Sequence, residues 1–198
     1  MIIWINGTFG SGKTTTAYEL EKRIEKAFVF DPESFGYVLM KNIPKSLQKD
    51  DFQDFPIWRE TNYSLLKQIA IHYEGIIIVP MTITKGEYFH EILSRLREDQ
   101  ISVKHVTLMA SKATIKKRLR SRLEGENSWA FKQAEARIQQ LQRPLFKDHI
   151  DTDGLPIEEV LEKIAQVTGL KLKEEKRNLL RKRMDRFLIK LKEISLFK

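Results

Sequence analysis

The chain has 198 residues, 41% of them hydrophobic, a formal net charge of +8 and no cysteine. This is one domain's length, enough to bury its own core, and the missing cysteines exclude a disulfide scaffold, a thiolate zinc site and a cysteine nucleophile. The charge is uneven: residues 171–198 hold eleven Lys/Arg against four Asp/Glu, which leaves residues 1–170 near neutral and points to a polyanionic partner at the C-terminal end.

In chain order, the start Met1–Trp4 lacks the basic segment of a secretion signal. Ile2–Asn6 is an apolar run before a glycine-rich stretch and reads as a buried strand. Thr14–Lys26 carries Ala17, Leu20 and Ile24 on one stripe and reads as a helix. A second strand is expected over Ala27–Phe30, a short helix over Ser34–Asn42, and a polar loop over Pro44–Phe55. Pro56–Tyr73 reads as a helix, and Gly75–Ile83, with its run of β-branched residues, as a strand covered on both faces. A helix over Gly86–Asp99, a strand over Val103–Met109 and a basic helix over Lys112–Leu123 follow. Gly125–Ser128 interrupts, Trp129–Gln142 resumes, Lys147–Thr152 reads as a last strand and Pro156–Thr168 as a helix. Strands alternating with helices predict an α/β fold with a parallel sheet and helices on both faces. No run reaches the roughly 18 apolar residues of a membrane-spanning helix.

Gly7-Thr8-Phe9-Gly10-Ser11-Gly12-Lys13-Thr14 fits the phosphate-binding pattern G-x-x-x-x-G-K-[ST], between an expected strand and an expected helix. Inward backbone N–H groups and the helix start at Lys13–Thr15 suit a triphosphate. Lys13 is expected on the β- and γ-phosphates and the Thr14 hydroxyl on Mg²⁺, so ATP and Mg²⁺ are the implied ligands. The third strand runs into Pro80-Met81-Thr82 without the carboxylate of a motor or helicase, and the Asn-Lys-x-Asp of a GTPase is missing. A small P-loop kinase pattern remains. It expects an acid after the second strand, where Asp31 stands; Asp31 acts on the acceptor hydroxyl or, alternatively, caps the helix that Pro32 begins.

Lys116, Lys117, Arg118, Arg120 and Arg122 form a basic helix face before the break at 123–127. Arg118 and Arg122 share a side and either close over the phosphates as an arginine-rich lid or form a solvated surface. Arg143 is a further lid candidate, and the 151–156 turn is a candidate adenine wall or an ordinary cap. The acceptor pocket is expected from 33–63 and 81–88, with Glu33, Trp58, Arg59, Met81 and Thr82 on the substrate, and Phe35, Tyr37, Phe52, Phe55 and Tyr63 as further aromatics. The four histidines show no metal spacing.

In the tail, Leu180, Met184, Phe187, Leu191 and Ile194 fall on one helical stripe that Leu188 widens, with Arg177, Arg181, Lys182, Arg183, Arg186, Lys190 and Lys192 around it. Such a helix at 171–198 lies on an anionic membrane surface, packs its stripe on the 1–170 domain, or meets another partner such as nucleic acid.

Several segments together resemble the bacterial tunicamycin-resistance ATP-binding family: Met1–Gly7, Phe9–Thr14, Asp31-Pro32-Glu33, Lys49–Gln53, Ile78–Ile83, Thr107–Lys112 and Asn127–Ala130. The resemblance implies an ATP-binding protein that also binds tunicamycin, a uridine-containing nucleoside antibiotic. It also implies a nucleoside-kinase-like fold and a tail that associates with the inner face of the cell membrane. Phosphorylation of the drug or of a related nucleoside or nucleotide-sugar is the attractive reading; sequestration without chemistry is the alternative.

Overall fold

The computed structural model describes residues 1–122, 125–126 and 128–196, with side chains described through Ile189. Part of the 123–127 lid break and the side chains of Leu191 and Ile194 in the tail stripe therefore lie outside the described residues.

Five strands, β1 (Ile2–Gly7), β2 (Ala27–Val29), β3 (Ile76–Pro80), β4 (Val103–Met109) and β5 (His149–Asp151), form one parallel sheet in the order β2-β3-β1-β4-β5. The helices are α1 (Lys13–Arg23), α2 (Pro32–Lys41), α3 (Pro56–His72), α4 (Gly86–Phe89), α5 (Arg95–Glu98), α6 (Lys112–Arg120), α7 (Trp129–Leu141), α8 (Ile157–Thr168) and α9 (Leu179–Leu196). A π-helical stretch, His90–Ser94, joins α4 to α5 inside what the sequence pattern presents as one helix.

β1 is central and wholly buried, and its alternation splits the core into two layers. Ile2 and Trp4 face α3 and the 86–98 helix, among Trp58, Leu66, Phe89 and Phe146. Ile3 and Ile5 face α1 and α8, among Ala17, Leu20, Val160 and Ile164. Each fully buried aliphatic side chain contributes roughly 1.5–3 kcal/mol, so apolar residues on both sides of β1 place the strand at the centre without any charged partner.

The third strand ends at Pro80, short of the expected Ile83. Pro80 has no N–H for the ladder, and the next residues bond instead to the end of β1. The buried Asn6 side chain accepts from Ile83 N at 2.9 Å and donates to Ile83 O at 2.8 Å, while Thr82 Oγ1 donates to Gly7 O at 2.7 Å.

The tail packs on the domain with its charged face. Arg177 donates to Glu19 of α1, Glu175 and Asp185 at 2.8, 2.6 and 2.9 Å. Lys182 and Arg186 both reach Glu158 of α8 at 2.8 Å, and Lys22 meets Asp185 at 2.9 Å. Burial pushes the Glu158 carboxyl up, but hydrogen bonds from Lys182 and Arg186 outweigh it and hold the group at about 2. Glu175 is likewise held at about 2, chiefly by its hydrogen bond from Arg177. Leu180, Met184, Phe187 and Leu188 point outward, Leu180 at 76% exposure. Of the readings the sequence allows, packing of the apolar stripe on the domain is not what its described part, Leu180 to Leu188, shows: these side chains face away.

Candidate active site

The loop after β1 turns back on itself before α1. Gly7 stands where a Cβ would meet Leu108 O at 2.8 Å and Ser11 Oγ at 2.5 Å, so only glycine fits. Gly12 caps α1 in the left-handed region at φ 100°, which lets the Lys13 N-terminus face the loop interior. Lys13 is buried, its Nζ donating to Thr8 O at 3.2 Å across the loop. Thr14 and Thr15 sit in the first turn of α1.

The hydroxyls of Thr8, Ser11 and Thr16 are buried within and behind this loop without a hydrogen-bond partner. A buried hydroxyl without a partner costs about 1–3 kcal/mol. Three of them around an N–H-rich loop and a lysine fit the oxygens of a phosphate chain. The same donor set fits Mg²⁺ held by the Thr14 hydroxyl together with phosphate oxygens and waters, the usual way a protein holds that ion. Among the described residues no group of three or more His, Cys, Asp and Glu could form a cage for a metal.

Asp31 stands at the end of β2, and one carboxylate oxygen accepts from Glu33 N at 3.0 Å as the N-cap of α2. The helix-capping alternative is thus realised, and it fixes the carboxylate on the loop side of the sheet. Thr82 is buried, tied by its Oγ1 to the carbonyl that opens the loop, so it bonds the site's frame. His105, behind Asn6, is pushed down to about 3 by burial, and it stays a neutral strut at 3.2 Å from Asn6.

The two lid arginines line one cavity, and Arg118 is fastened at its edge. Arg118 Nη1 donates to Ser11 O at 3.2 Å and to Thr152 Oγ1 at 3.1 Å, and Nη2 to Thr152 O at 2.9 Å. It braces the loop against the 151–156 turn. Arg118 and Arg122 both line a cavity of about 210 Å³, together with Gly10, Gly12, Thr15, Thr152 and Leu155. That cavity brings the expected adenine wall beside the loop. Arg143 is exposed before a turn at Pro144–Phe146 and lines neither this cavity nor the next.

A second cavity, about 270 Å³, opens on the other side of Phe9. Glu33, Tyr37 and Met40 of α2 form one wall, Asp50, Asp51, Phe52 and Gln53 another, and Met81, Thr82 and Trp129 close it. Glu33, Met81 and Thr82, three of the expected substrate residues, thus line one cavity. Trp58 and Arg59 do not line it, a correction with a clear cause. Trp58 Nε1 is spent on Pro32 O at 3.1 Å, and Arg59 donates to Glu91 and Gln53 O at 2.6 Å each, both side chains buried behind the wall. Of the other expected aromatics, Tyr37 and Phe52 are in the wall, whereas Tyr63 bonds Asp99 at 2.5 Å on the far side of α3.

Sequence reasoning missed Arg137. On α7 it is buried, its guanidinium 4.9 Å from the Phe9 and Trp129 ring centres, and it donates to Asp51 at 2.8 Å. It ties three segments far apart in sequence behind the wall of the second cavity. Its only sequence signal is an arginine on the apolar side of an otherwise ordinary amphipathic helix.

Residues 2–145 match the AAA domain family. The tunicamycin resistance protein of Deinococcus radiodurans is similar in structure at a TM-score of 0.75 and 36% identity, over 88% of this chain and 98% of that one. An unliganded sugar kinase from Janibacter sp. HTCC2649 matches at 0.62 and 20% identity, over 85% and 94% of the two chains. The APS kinase of Mycobacterium tuberculosis, solved with AMPPNP and APS, matches at 0.55 and 18%, over 85% and 96%. The last two share the fold. No curated protein sequence matches.

Proposed function

The chain belongs to the AAA domain family and to the family of the tunicamycin resistance protein, and on that premise we propose that it transfers the γ-phosphoryl group of ATP to a hydroxyl of tunicamycin or a related nucleoside. One observation carries the reading: two cavities of about 210 and 270 Å³ meet at a phosphate-binding loop whose buried hydroxyls are unpartnered. The adenosine end lies in the first, between Arg122 and the 151–156 turn, and the acceptor in the second. The loop from Gly7 to Thr14 holds the phosphates, with Thr15 in the same first turn of α1, and Thr14 is the residue that would hold Mg²⁺. When bound, that ion supplies charge neutralisation on the β- and γ-phosphates.

In the step itself the acceptor oxygen bonds to the γ-phosphorus and the bond to the β,γ-bridging oxygen breaks. ADP leaves with that electron pair, and the hydroxyl proton passes to Asp31. Lys13 offsets the charge of the transferring group, while Arg118 keeps the loop in shape.

The test is mass spectrometry of tunicamycin after incubation with the protein and Mg·ATP. A gain of one phosphoryl group, absent without ATP and with Lys13→Ala, supports the kinase. Unmodified drug with ATP-dependent binding supports sequestration instead.

Residues 1–170 act as the catalytic domain and 171–198 as its membrane-facing part, in this same reading. The observation behind it is α9, which shows lipid-compatible side chains outward beside the exposed Arg181 and Arg183. No helix among the described residues is long and apolar enough to cross a membrane. Co-sedimentation with anionic vesicles, lost in Phe187→Glu and retained in neutral-face changes, tests it; equal sedimentation of both variants removes it. Binding of duplex DNA at physiological salt with a steep salt slope would favour the nucleic-acid reading.

A further inference from the structure

We infer that the acceptor cavity selects molecules that carry no phosphate: uncharged or cationic polyols with a planar or apolar part. This rests on the kinase reading for the cavity's role and adds the charge class, which excludes nucleotide-sugars and nucleoside monophosphates as acceptors.

The observation is a difference between the two sides of one loop. The 270 Å³ cavity is lined by Glu33, Asp50 and Asp51, and among the described residues no Lys, Arg or His lines it. Recognition of a phosphorylated acceptor takes charge-assisted donors, and arginine above all. The arginine behind this wall, Arg137, is 7% exposed at its side chain and held by Asp51 and two aromatic rings. Releasing it toward a phosphate would leave Asp51, itself 16% exposed, without its partner. Acidic groups around a dianion also repel it, an effect that low dielectric enlarges. The remaining wall, Tyr37, Met40, Phe52 and Trp129, suits a flat ring or an alkyl chain.

The arrangement also bears on turnover. The acceptor enters without charge and leaves carrying a phosphate, so the carboxylates that tolerate the substrate push against the product.

Equilibrium binding to the full chain tests this, with AMPPNP saturating the phosphate loop so that other phosphates cannot occupy it. Trp129 is the natural reporter: it lines the cavity at 42% exposure, whereas Trp4 and Trp58 are buried. The probes are tunicamycin, uridine, uridine 5′-monophosphate and UDP-N-acetylglucosamine. Uridine should bind at least tenfold tighter than its monophosphate, about 1.4 kcal/mol. Asp50→Asn and Glu33→Gln should each narrow that gap threefold or more, and added salt should narrow it too. The inference is overturned by equal or tighter binding of a phosphorylated probe, by a gap that neither variant moves, or by no response to any probe. Phosphoryl transfer from labelled ATP separates the two readings. Transfer without charge preference sinks only this inference, and charge preference without transfer sinks only the kinase.

Discussion

Two regions bury polar groups and treat them in opposite ways. Around the phosphate loop, the hydroxyls of Thr8, Ser11 and Thr16 are buried and unpartnered. At the tail joint, Glu19 is 1% exposed and its carboxylate meets Arg177 at 2.8 Å and Arg186 at 3.5 Å, while Glu158 takes both Lys182 and Arg186. Both regions lie on α1, one at each end. Buried polarity alone does not identify a site: three unpartnered hydroxyls gather at the loop, whereas the joint is dense in ion pairs and only Arg186 Nε in it lacks a hydrogen-bond partner among the described residues.

The sharpest way to break this contrast is to remove one charge from the joint. Glu19→Ala leaves Arg177 and Arg186 facing a gap, and should cost about 3–5 kcal/mol in urea unfolding. A loss under 1 kcal/mol would mean the joint is ornamental. Deleting 171–198 strips the same partners from Glu19 and Glu158, and should lower the melting temperature as well. The matching change at the loop end, Lys13→Ala, should reduce phosphoryl transfer about 10²–10³-fold, the scale of losing one charge-stabilising donor, with the melting temperature nearly unchanged. A collapse of stability there would move Lys13 from ligand site to joint.

Asp31 is both the cap of α2 and the proposed proton acceptor, so it separates structural from catalytic loss more finely. Asp31→Asn keeps a good cap and should shift stability by under about 0.5 kcal/mol while transfer falls about 10²–10⁴-fold. Asp31→Ala should add a cap loss of about 1 kcal/mol. Transfer unchanged in the asparagine variant would leave Asp31 as a cap only.

The smallest effect concerns pH. Glu175 is held at about 2 when folded, against an ordinary value of 4.5. Its folded value is depressed, so its contribution is fully present above pH 4.5 and disappears as the pH falls toward 2. With solvent screening, about 1–2 kcal/mol should go across that window, and Glu175→Gln should flatten the loss in urea midpoints measured from pH 6 to 3.

Most of the architecture was legible in the sequence because apolar runs and periodicity report it directly. The strand–loop–helix at 2–23 and the order of strands and helices follow from residues that are neighbours in the chain. Misreadings arise where a side chain's partner is distant. Trp58 and Arg59 look like a substrate clamp until Pro32 O and Glu91 take their donors. Arg118 is engaged by a loop carbonyl and Thr152, partners that its place on a basic helix does not announce. Arg137 shows its role only when α7 lies over Phe9 and Asp51. In the tail, the helix expected over 171–198 begins only at Leu179, and which face docks depends on Glu19 and Glu158, more than a hundred and about twenty residues away from their partners.

That reversed docking has a kinetic consequence. A helix whose greasy side must first be pried off its own domain associates with a surface only as fast as it unlatches, so its rate levels off. Here the greasy side from Leu180 to Leu188 already faces out while the ionic side stays fastened to Glu19 and Glu158. Capture by a hydrophobic surface then needs no preceding opening step, and its observed rate should climb in proportion to the surface supplied, without a plateau.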